Sequence, residues 1–338
     1  MSVTLVWRTD AHNSDEPPQS RTDDWTATVL DKLTQVGELA RGVGAQGVLD
    51  GGDLFHIKSP SRNSHELVQQ VAAVHRGYPC PTWATVGNHD VKHGSLEYLG
   101  ESPLGVLFKS GALNPLYEPQ HEAVFEEDQV NPRQWEGGGP VVKPLKVRVV
   151  AVPYHGTSYD RNRLTTITKK DEDYLVVIAH LLASDKPGEF FFKEDVIQYR
   201  EIMNLDPDLW LFGHWHKDQG VKVLGGKTFV NIGSLTRGAL TQDEIVRIPK
   251  AAVLRFDRKG VHVEEVPLNC RPSAEVFDIA GKARAEERDS TMEVFVDNLQ
   301  RTLSRKDEKS LLDEVRGADA PDEIRERALH YLERAGAR

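Results

Sequence analysis

Five times in this chain an apolar, β-prone run stops abruptly in acid, amide or imidazole side chains. VTLVW at 3–7 leads into Thr9-Asp10-Ala11-His12, and Val48-Leu49 leads into Asp50-Gly51-Gly52-Asp53. TWATV at 82–86 leads into Gly87-Asn88-His89-Asp90. Further on, the run at 174–179 ends at His180, and the run at 209–212 meets Gly213-His214-Trp215-His216. Short apolar runs of this kind read as buried strands. In open α/β sheets the carboxyl ends of the strands are where ligands bind. A fold that keeps these runs side by side therefore gathers Asp10, His12, Asp53, Asn88, His180, His214 and His216 at one rim.

The segments between the runs agree with such a sheet. Residues 22–24 can cap a helix in which Trp25, Val29, Leu33 and Val36 recur at spacings of four and three. Ser64 can cap a second helix with Leu67, Val71 and Val74 on one face. Strand, helix, strand, helix, strand predicts a largely parallel sheet with helices packed on it. Later strands are expected at 147–152, 228–232, 252–256 and 261–266, the last of them joined by Gly-containing turns that favour antiparallel pairing. Two packed sheets with helices outside accommodate both halves, an α/β architecture. Residues 117–146 are rich in Glu, Pro and Gly and read as a long surface loop. After Leu268 strands stop. Met292, Phe295, Val296, Leu299 and Leu303 form a helical stripe, and shorter helices are expected at 311–315 and 324–332. This divides the chain into a catalytic domain over 1–268 and a helical region over 269–338.

Composition bounds the setting. Cys80 and Cys270 cannot build a disulfide framework, which suits a reducing compartment. No run of about 18 apolar residues exists, and the first residues reach charge before any signal-peptide core can form. A cytoplasmic protein without a membrane partner is expected. The net charge of −10 argues against a general nucleic-acid coat. It does not argue against a nucleic-acid enzyme, because bound divalent cations reverse the field locally.

The donors at the strand ends are oxygens and nitrogens, with no thiol among them. Such a set suits two borderline-hard divalent cations, Mn²⁺ first and then Fe²⁺, Zn²⁺ or Mg²⁺. Asp10-x-His12 and His214-x-His216 each put two side chains on one side of extended backbone. Glycines at 52, 87 and 213 let the backbone turn beside the cluster. A metal pair needs a bridging ligand with two oxygens, and Asp53 is the expected one. Taken singly, each piece has a plain reading: Asp-x-His as a surface turn, Gly-Asn-His-Asp as an Asx turn, His-x-His as a strand pair. All of them in this order, each closing an apolar run, do not.

With these motifs the chain resembles the calcineurin-like metallophosphoesterases, over roughly residues 1–268. Gly51-Gly52-Asp53-Leu54-Phe55-His56, followed by Lys58-Ser59-Pro60-Ser61-Arg62, is similar to the SbcD-type double-strand-break repair nucleases of that superfamily. So is Asn231-Ile232-Gly233-Ser234-Leu235-Thr236-Arg237. The resemblance implies a four-layer α/β/β/α sandwich of two mixed sheets, with a short helical C-terminal extension. It assigns Asp10, His12, Asp53 and His216 to one ion, and Asp53, Asn88, His180 and His214 to the other. In that subgroup a histidine three residues after the bridging aspartate, here His56, belongs to the active site. Exonuclease and single-strand endonuclease action on DNA, in repair or recombination, follows as the expected activity.

The chemistry expected of these residues is in-line hydrolysis. Two cations about 3.5–4 Å apart lower the pKa of a shared water and clamp the non-bridging oxygens, so a metal-bridging hydroxide is the expected nucleophile. His89 is left over as a ligand and is expected to hydrogen-bond the phosphate and protonate the leaving alkoxide. Asp90 is expected to hold His89 in its tautomer. His56 is expected to contact the scissile phosphate or strand, and Lys58 and Arg62 to bind the DNA backbone. His155 reads as a loop residue outside the ligand set. Besides DNA, the expected partners are an SbcC-like ATPase, which the 292–303 stripe could meet through a groove, and a second copy of the chain. Two other readings stay open. One is a phosphodiesterase or phosphatase for a small nucleotide using the same ions, favoured by the acidic charge. The other is a subunit whose main task is docking on the ATPase.

Overall fold

A computed structural model of the chain describes residues 2–18, 20–56, 63–127, 143–186, 193–282, 284, 315–318 and 320–336, with side chains as far as residue 330. The first strands are buried on both faces, which is why they read as continuous apolar runs rather than alternating ones. Strand β1 (Val3–Arg8) pairs parallel with β2 (Gly47–Asp50), β2 with β3 (Thr82–Ala84), and β3 with the short β4 (Asn114–Pro115). The connections are α1 (Trp25–Gly42), capped by Asp24 accepting from Ala27 N, and α2 (His65–Arg76), capped by Ser64 accepting from Leu67 N. The first helix buries its whole predicted stripe, and the second buries Leu67 and Val71 with Val74 half-buried.

The second sheet begins with β5 (Ala123–Glu126), antiparallel to β6 (Lys146–Val152). Next comes β7 (Tyr174–His180), parallel to β6; β8 (Ala183–Ser184) and β9 (Ile197–Gln198) form a separate small pair. Then β10 (Leu209–Gly213) pairs parallel with β7, and the hairpin of β11 (Gly220–Leu224) and β12 (Lys227–Asn231) adds to β10 through β12. The chain returns to the first sheet with the hairpin of β13 (Lys250–Asp257) and β14 (Gly260–Pro267), β13 lying antiparallel to β1. The result is two mixed six-stranded sheets.

Side-chain alternation stacks them. Val3, Leu5, Trp7 and Leu49 of the first sheet meet Val147, Val176, Ile178, Leu209 and Leu211 of the second in one apolar layer. The opposite faces bury Val6, Val48 and Val253 under α1 and α2, and Val177, Trp210, Phe212 and Phe229 under Tyr159, Leu164, Tyr199 and Ile202. On the second sheet this outer cover is thin, made of loops and the single-turn helices Asn162–Thr165 and Tyr199–Ile202. The strand expected over 82–86 ends at Ala84, with Thr85 N still donating to Asp50 O at 3.1 Å as the last ladder bond to β2. Strand β5 lies inside the stretch that reads as loop; only Ala123 and Phe125 point inward, and four residues amid polar sequence leave little pattern. The expected helix at 324–332 lies within a helix at Asp322–Gly336, whereas the 292–303 stripe falls outside the described residues.

The chain forms two compact units, Met1–Phe277 and Asp278–Arg338. Residues just past Leu268 are tied into the first unit. Arg237 donates to Arg271 O and to Ser273 Oγ, and the Arg21 guanidinium lies over the Phe277 ring at 5.0 Å. Among the described residues no helix is long and apolar enough to cross a membrane.

At the end of β1 the buried Arg8 pairs with Asp50 at 2.5 Å and donates to His75 Nε2 on α2 at 2.6 Å. His75 Nδ1–H donates to Val71 O at 2.7 Å, so both ring nitrogens are engaged in the neutral form. Burial, reinforced by the Arg8 charge, drives the His75 pKa down from 6.5 to about 3. Unfolded His75 takes up a proton below 6.5, and folded His75 does not until about 3. Stability is therefore full above that window and is lost as pH falls through it, by about 2 kcal/mol between pH 7 and pH 5. Urea unfolding at both pH values should show His75→Gln losing less stability on acidification than the parent chain. Equal losses would show that His75 does not titrate this way.

Candidate metal centre

All the sequence-predicted donors arise at the carboxyl ends of β1, β2, β3, β7 and β10 or in the turns just after them. The turns are tight. Asp10, His12, Asp53 and His214 all have positive φ, at 53°, 54°, 52° and 86°. Such conformations cost of order 1–3 kcal/mol each in a non-glycine residue and persist only where surroundings impose them. Here the turns after β1 and β2 zip together: Asp10 N donates to Gly52 O at 3.1 Å, His12 N to Asp53 O at 3.0 Å and Asn13 N to Leu54 O at 2.8 Å. Asp10 in turn accepts from Thr9 Oγ1 at 2.5 Å and from His214 N at 3.1 Å, which joins the end of β10 to the end of β1. Gly87 is required by close approach: a Cβ there would lie 2.0 Å from Asp53 Oδ1 and 2.5 Å from Asp53 N.

The donors fall into two groups that meet at Asp53. In one, Asp10, His12 and His216 bring their ligand atoms within 4.8 Å of one another, with His12 Nε2 and His216 Nε2 2.9 Å apart. In the other, Asp53, His180 and His214 do the same, and Asn88 Oδ1 lies 3.2 Å from His180 Nε2. Asp53 Oδ2 is 3.9 Å from His12 Nε2 and 3.5 Å from His180 Nε2, between the two groups.

The electrostatics favour positive charge. Burial alone would raise Asp53, yet the charged His180 beside it holds its carboxyl well below the usual range. Burial alone would lower His180, yet Asp53 and Asp10 lift it to about 10. His12, buried and flanked by His216, is kept well below its ordinary value and stays neutral. His214 Nδ1 is a buried nitrogen with no hydrogen-bond partner among the described residues. Carboxylate, amide and imidazole donors around a buried orphan nitrogen suit a pair of divalent cations, a harder set than thiolates would offer.

His89 lies beside these groups. Its backbone N donates to Asp53 Oδ1 at 2.7 Å, its Nδ1–H donates to His56 O at 2.8 Å, and its ring stacks on His56 with centroids 5.0 Å apart. His56 Nδ1 approaches His12 Nδ1 to 3.4 Å. Burial, with His89 adding to it, lowers the His56 pKa. Asp90 corrects the sequence expectation, because its carboxylate does not hold the His89 ring. It is 1% exposed and accepts from Asp53 N at 2.7 Å, Gly87 N at 2.9 Å and Phe55 N at 3.2 Å. Three short backbone donors converge on it, while the His89 ring turns to the His56 carbonyl instead. Lys58 and Arg62 fall outside the described residues. His155 stays in a loop, its Nδ1 3.0 Å from Pro153 O, apart from both groups.

Sequence reasoning missed Thr9, Tyr154 and Glu194. The Tyr154 ring faces the rings of His214 and His180 at 5.5 and 6.2 Å, and Glu194 Oε1 lies 3.0 Å from His214 Nε2. Glu194 sits outside every strand-end motif, so no local pattern marks it.

Residues 9–218 match the family model described as Calcineurin-like phosphoesterase. Similar solved structures include TT1561 of Thermus thermophilus, at 15% identity, covering 78% of this chain and 99% of that one with a TM-score of 0.42. A dimetal phosphatase from Danio rerio is 10% identical over 79% of this chain and 99% of that one, with a TM-score of 0.46. An NAD nucleotidase from Haemophilus influenzae is 14% identical over 79% of this chain and 56% of that one, with a TM-score of 0.40. No curated protein matches the chain.

The position of Asp90 can be tested directly. Asp90→Asn places amide hydrogens against backbone donors and should cost about 1–3 kcal/mol of stability. Because those donors carry the Asp53 turn, retained metal, measured by plasma mass spectrometry, should fall together with turnover. Full metal content with turnover alone lost would return Asp90 to the role of steering His89.

Proposed function

Because this chain belongs to the calcineurin-like phosphoesterases, we propose that it is a phosphodiesterase using two divalent cations, Mn²⁺ foremost, with DNA as its substrate. The observation that carries the reading is the stacked pair of His56 and His89 beside the group of Asp10, His12 and His216. His56 closes the stretch that resembles the SbcD-type nucleases, and it meets the one histidine of the Gly-Asn-His-Asp motif that the ligand assignment leaves over.

Asp10, His12, Asp53 and His216 would hold one cation, and Asp53, Asn88, His180 and His214 the other. Bound there, such cations would neutralise phosphate charge and make a water acidic enough to serve as the nucleophile. The protein's own groups do the rest. With Nδ1–H committed to the His56 carbonyl, the His89 ring is fixed in orientation and directs Nε2 to the substrate. In its charged form Nε2–H donates to the leaving oxygen, a contribution of about 10²–10⁴-fold. His56 stacks against His89 and contacts the phosphate or the strand. Lys58 and Arg62 follow His56 in sequence and bind the DNA backbone. The activity is exonuclease and single-strand endonuclease, serving repair or recombination in the cytoplasm, with an SbcC-like ATPase and a second copy of the chain as protein partners.

The net charge of −10 favours a second reading, a small-nucleotide phosphodiesterase with the same centre. One panel separates the two. With Mn²⁺, the full chain should degrade linear duplex DNA and nick circular single strands, and a chelator should abolish both activities. Hydrolysis of bis-p-nitrophenyl phosphate or a cyclic nucleotide with both DNAs left intact would select the second reading. His89→Ala should retain its metal and lose about 10²–10⁴-fold in turnover, whereas Asp53→Ala should lose metal as well. Equal metal loss in the two variants would remove His89 from its role.

A further inference from the structure

We propose that Glu194 is a positioning residue that fixes the His214 ring as its Nε2–H tautomer, leaving Nδ1 as the nitrogen that binds metal. This rests on the two-cation reading above. Glu194 Oε1 lies 3.0 Å from His214 Nε2, and an ionised carboxylate can only accept, so the proton of that bond belongs to Nε2. A neutral imidazole has one proton. Nδ1 therefore carries the lone pair, and Nδ1 is the buried ring nitrogen for which no partner exists among the described residues. A buried acceptor without a partner is costly, and a cation beside it removes that cost. His214 is grouped with Asp53 and His180, their ligand atoms within 4.8 Å of one another.

Glu194 is itself held. Tyr159, 4% exposed, donates its hydroxyl proton to Glu194 Oε1, and the same hydroxyl oxygen accepts from Leu182 N at 2.9 Å. Leu182 lies two residues beyond His180, so the relay starts from the strand end that supplies the neighbouring ligand. His180 is oriented the opposite way: its Nδ1–H donates to Gly51 O at 2.6 Å, leaving Nε2 toward Asp53 and Asn88. Two histidines of one ion would thus bind through different ring nitrogens, each chosen by the bond that the other nitrogen makes. Loss of such a supporting partner typically costs 10–100-fold in metal affinity.

The test uses the full chain labelled with ¹⁵N-histidine, stripped of metal and then titrated with Zn²⁺, with His214 resonances assigned from a His214→Gln variant. Calorimetry should find two ions in the parent chain, and long-range ¹H–¹⁵N spectra should show His214 metallated at Nδ1 with its proton on Nε2. Glu194→Ala should weaken one ion by 10–100-fold, leave the other unchanged and populate both His214 tautomers. Glu194→Gln keeps an acceptor oxygen and should restore the Nε2–H tautomer and part of the affinity. Metal on Nε2 of His214, or two ions held by Glu194→Ala with parental affinity, would overturn the role of Glu194 while leaving the two-cation reading in place. No bound ion in the folded parent chain would overturn both.

Discussion

The carboxylate of Asp90, sealed from water and accepting three backbone N–H groups, sews the turn after β2 to the turn after β3. Asp53 stands on one side of that seam and Asn88 and His89 on the other. Asp53 then reaches into both groups: its carbonyl accepts from His12 N, one carboxylate oxygen accepts from His89 N, and the other faces His12 and His180. A charged group buried this deeply is tolerable only when its acceptor capacity is filled or cations surround it. Backbone donors on both oxygens do not hold Asp90 down, since burial and the neighbouring Asp53 push its carboxyl well above the usual range, whereas imidazoles hold that of Asp53 well below it. Two adjacent aspartates thus do opposite work, and environment alone distinguishes them.

The sandwich makes this crowding feasible. Parallel pairing of β1, β2 and β3, and of β6, β7 and β10, points several strand ends the same way, and the shared apolar layer brings the two sets of ends together. Turns leaving such ends have little room, which accounts for the cluster of left-handed aspartates and histidines and for Gly87. The strain is local and is carried by the cross-turn hydrogen bonds.

Much of this was legible in the linear chain. Apolar runs that end in Asp, Asn or His announce both a sheet and a rim, and Asp24 and Ser64 announce helix starts, because these signals are local. What stayed hidden depends on distance. Strand β5 is too short and too polar in its surroundings to show a period, and β11 carries Val221 and Val223 beside Lys222 at a sheet edge. Asp90 sits next to His89 in sequence, and adjacency suggested a partnership. The fold gives Asp90 to the backbone and His89 to the carbonyl of His56, a choice set by residues more than thirty positions away. Glu194 reaches His214 from a loop with no motif of its own. Backbone acceptors and loop carboxylates carry no pattern that a sequence displays.

One bond described above joins more than two residues. His180 ends a strand of one sheet, and its ring proton rests on the carbonyl of Gly51, which follows a strand of the other. The candidate donors are likewise drawn from both leaves, so an ion held by them would act as a rivet through the whole stack. Slippage of one leaf past the other and release of such a cation would then be a single event, and loading the centre would stiffen the framework as directly as it would arm the chemistry.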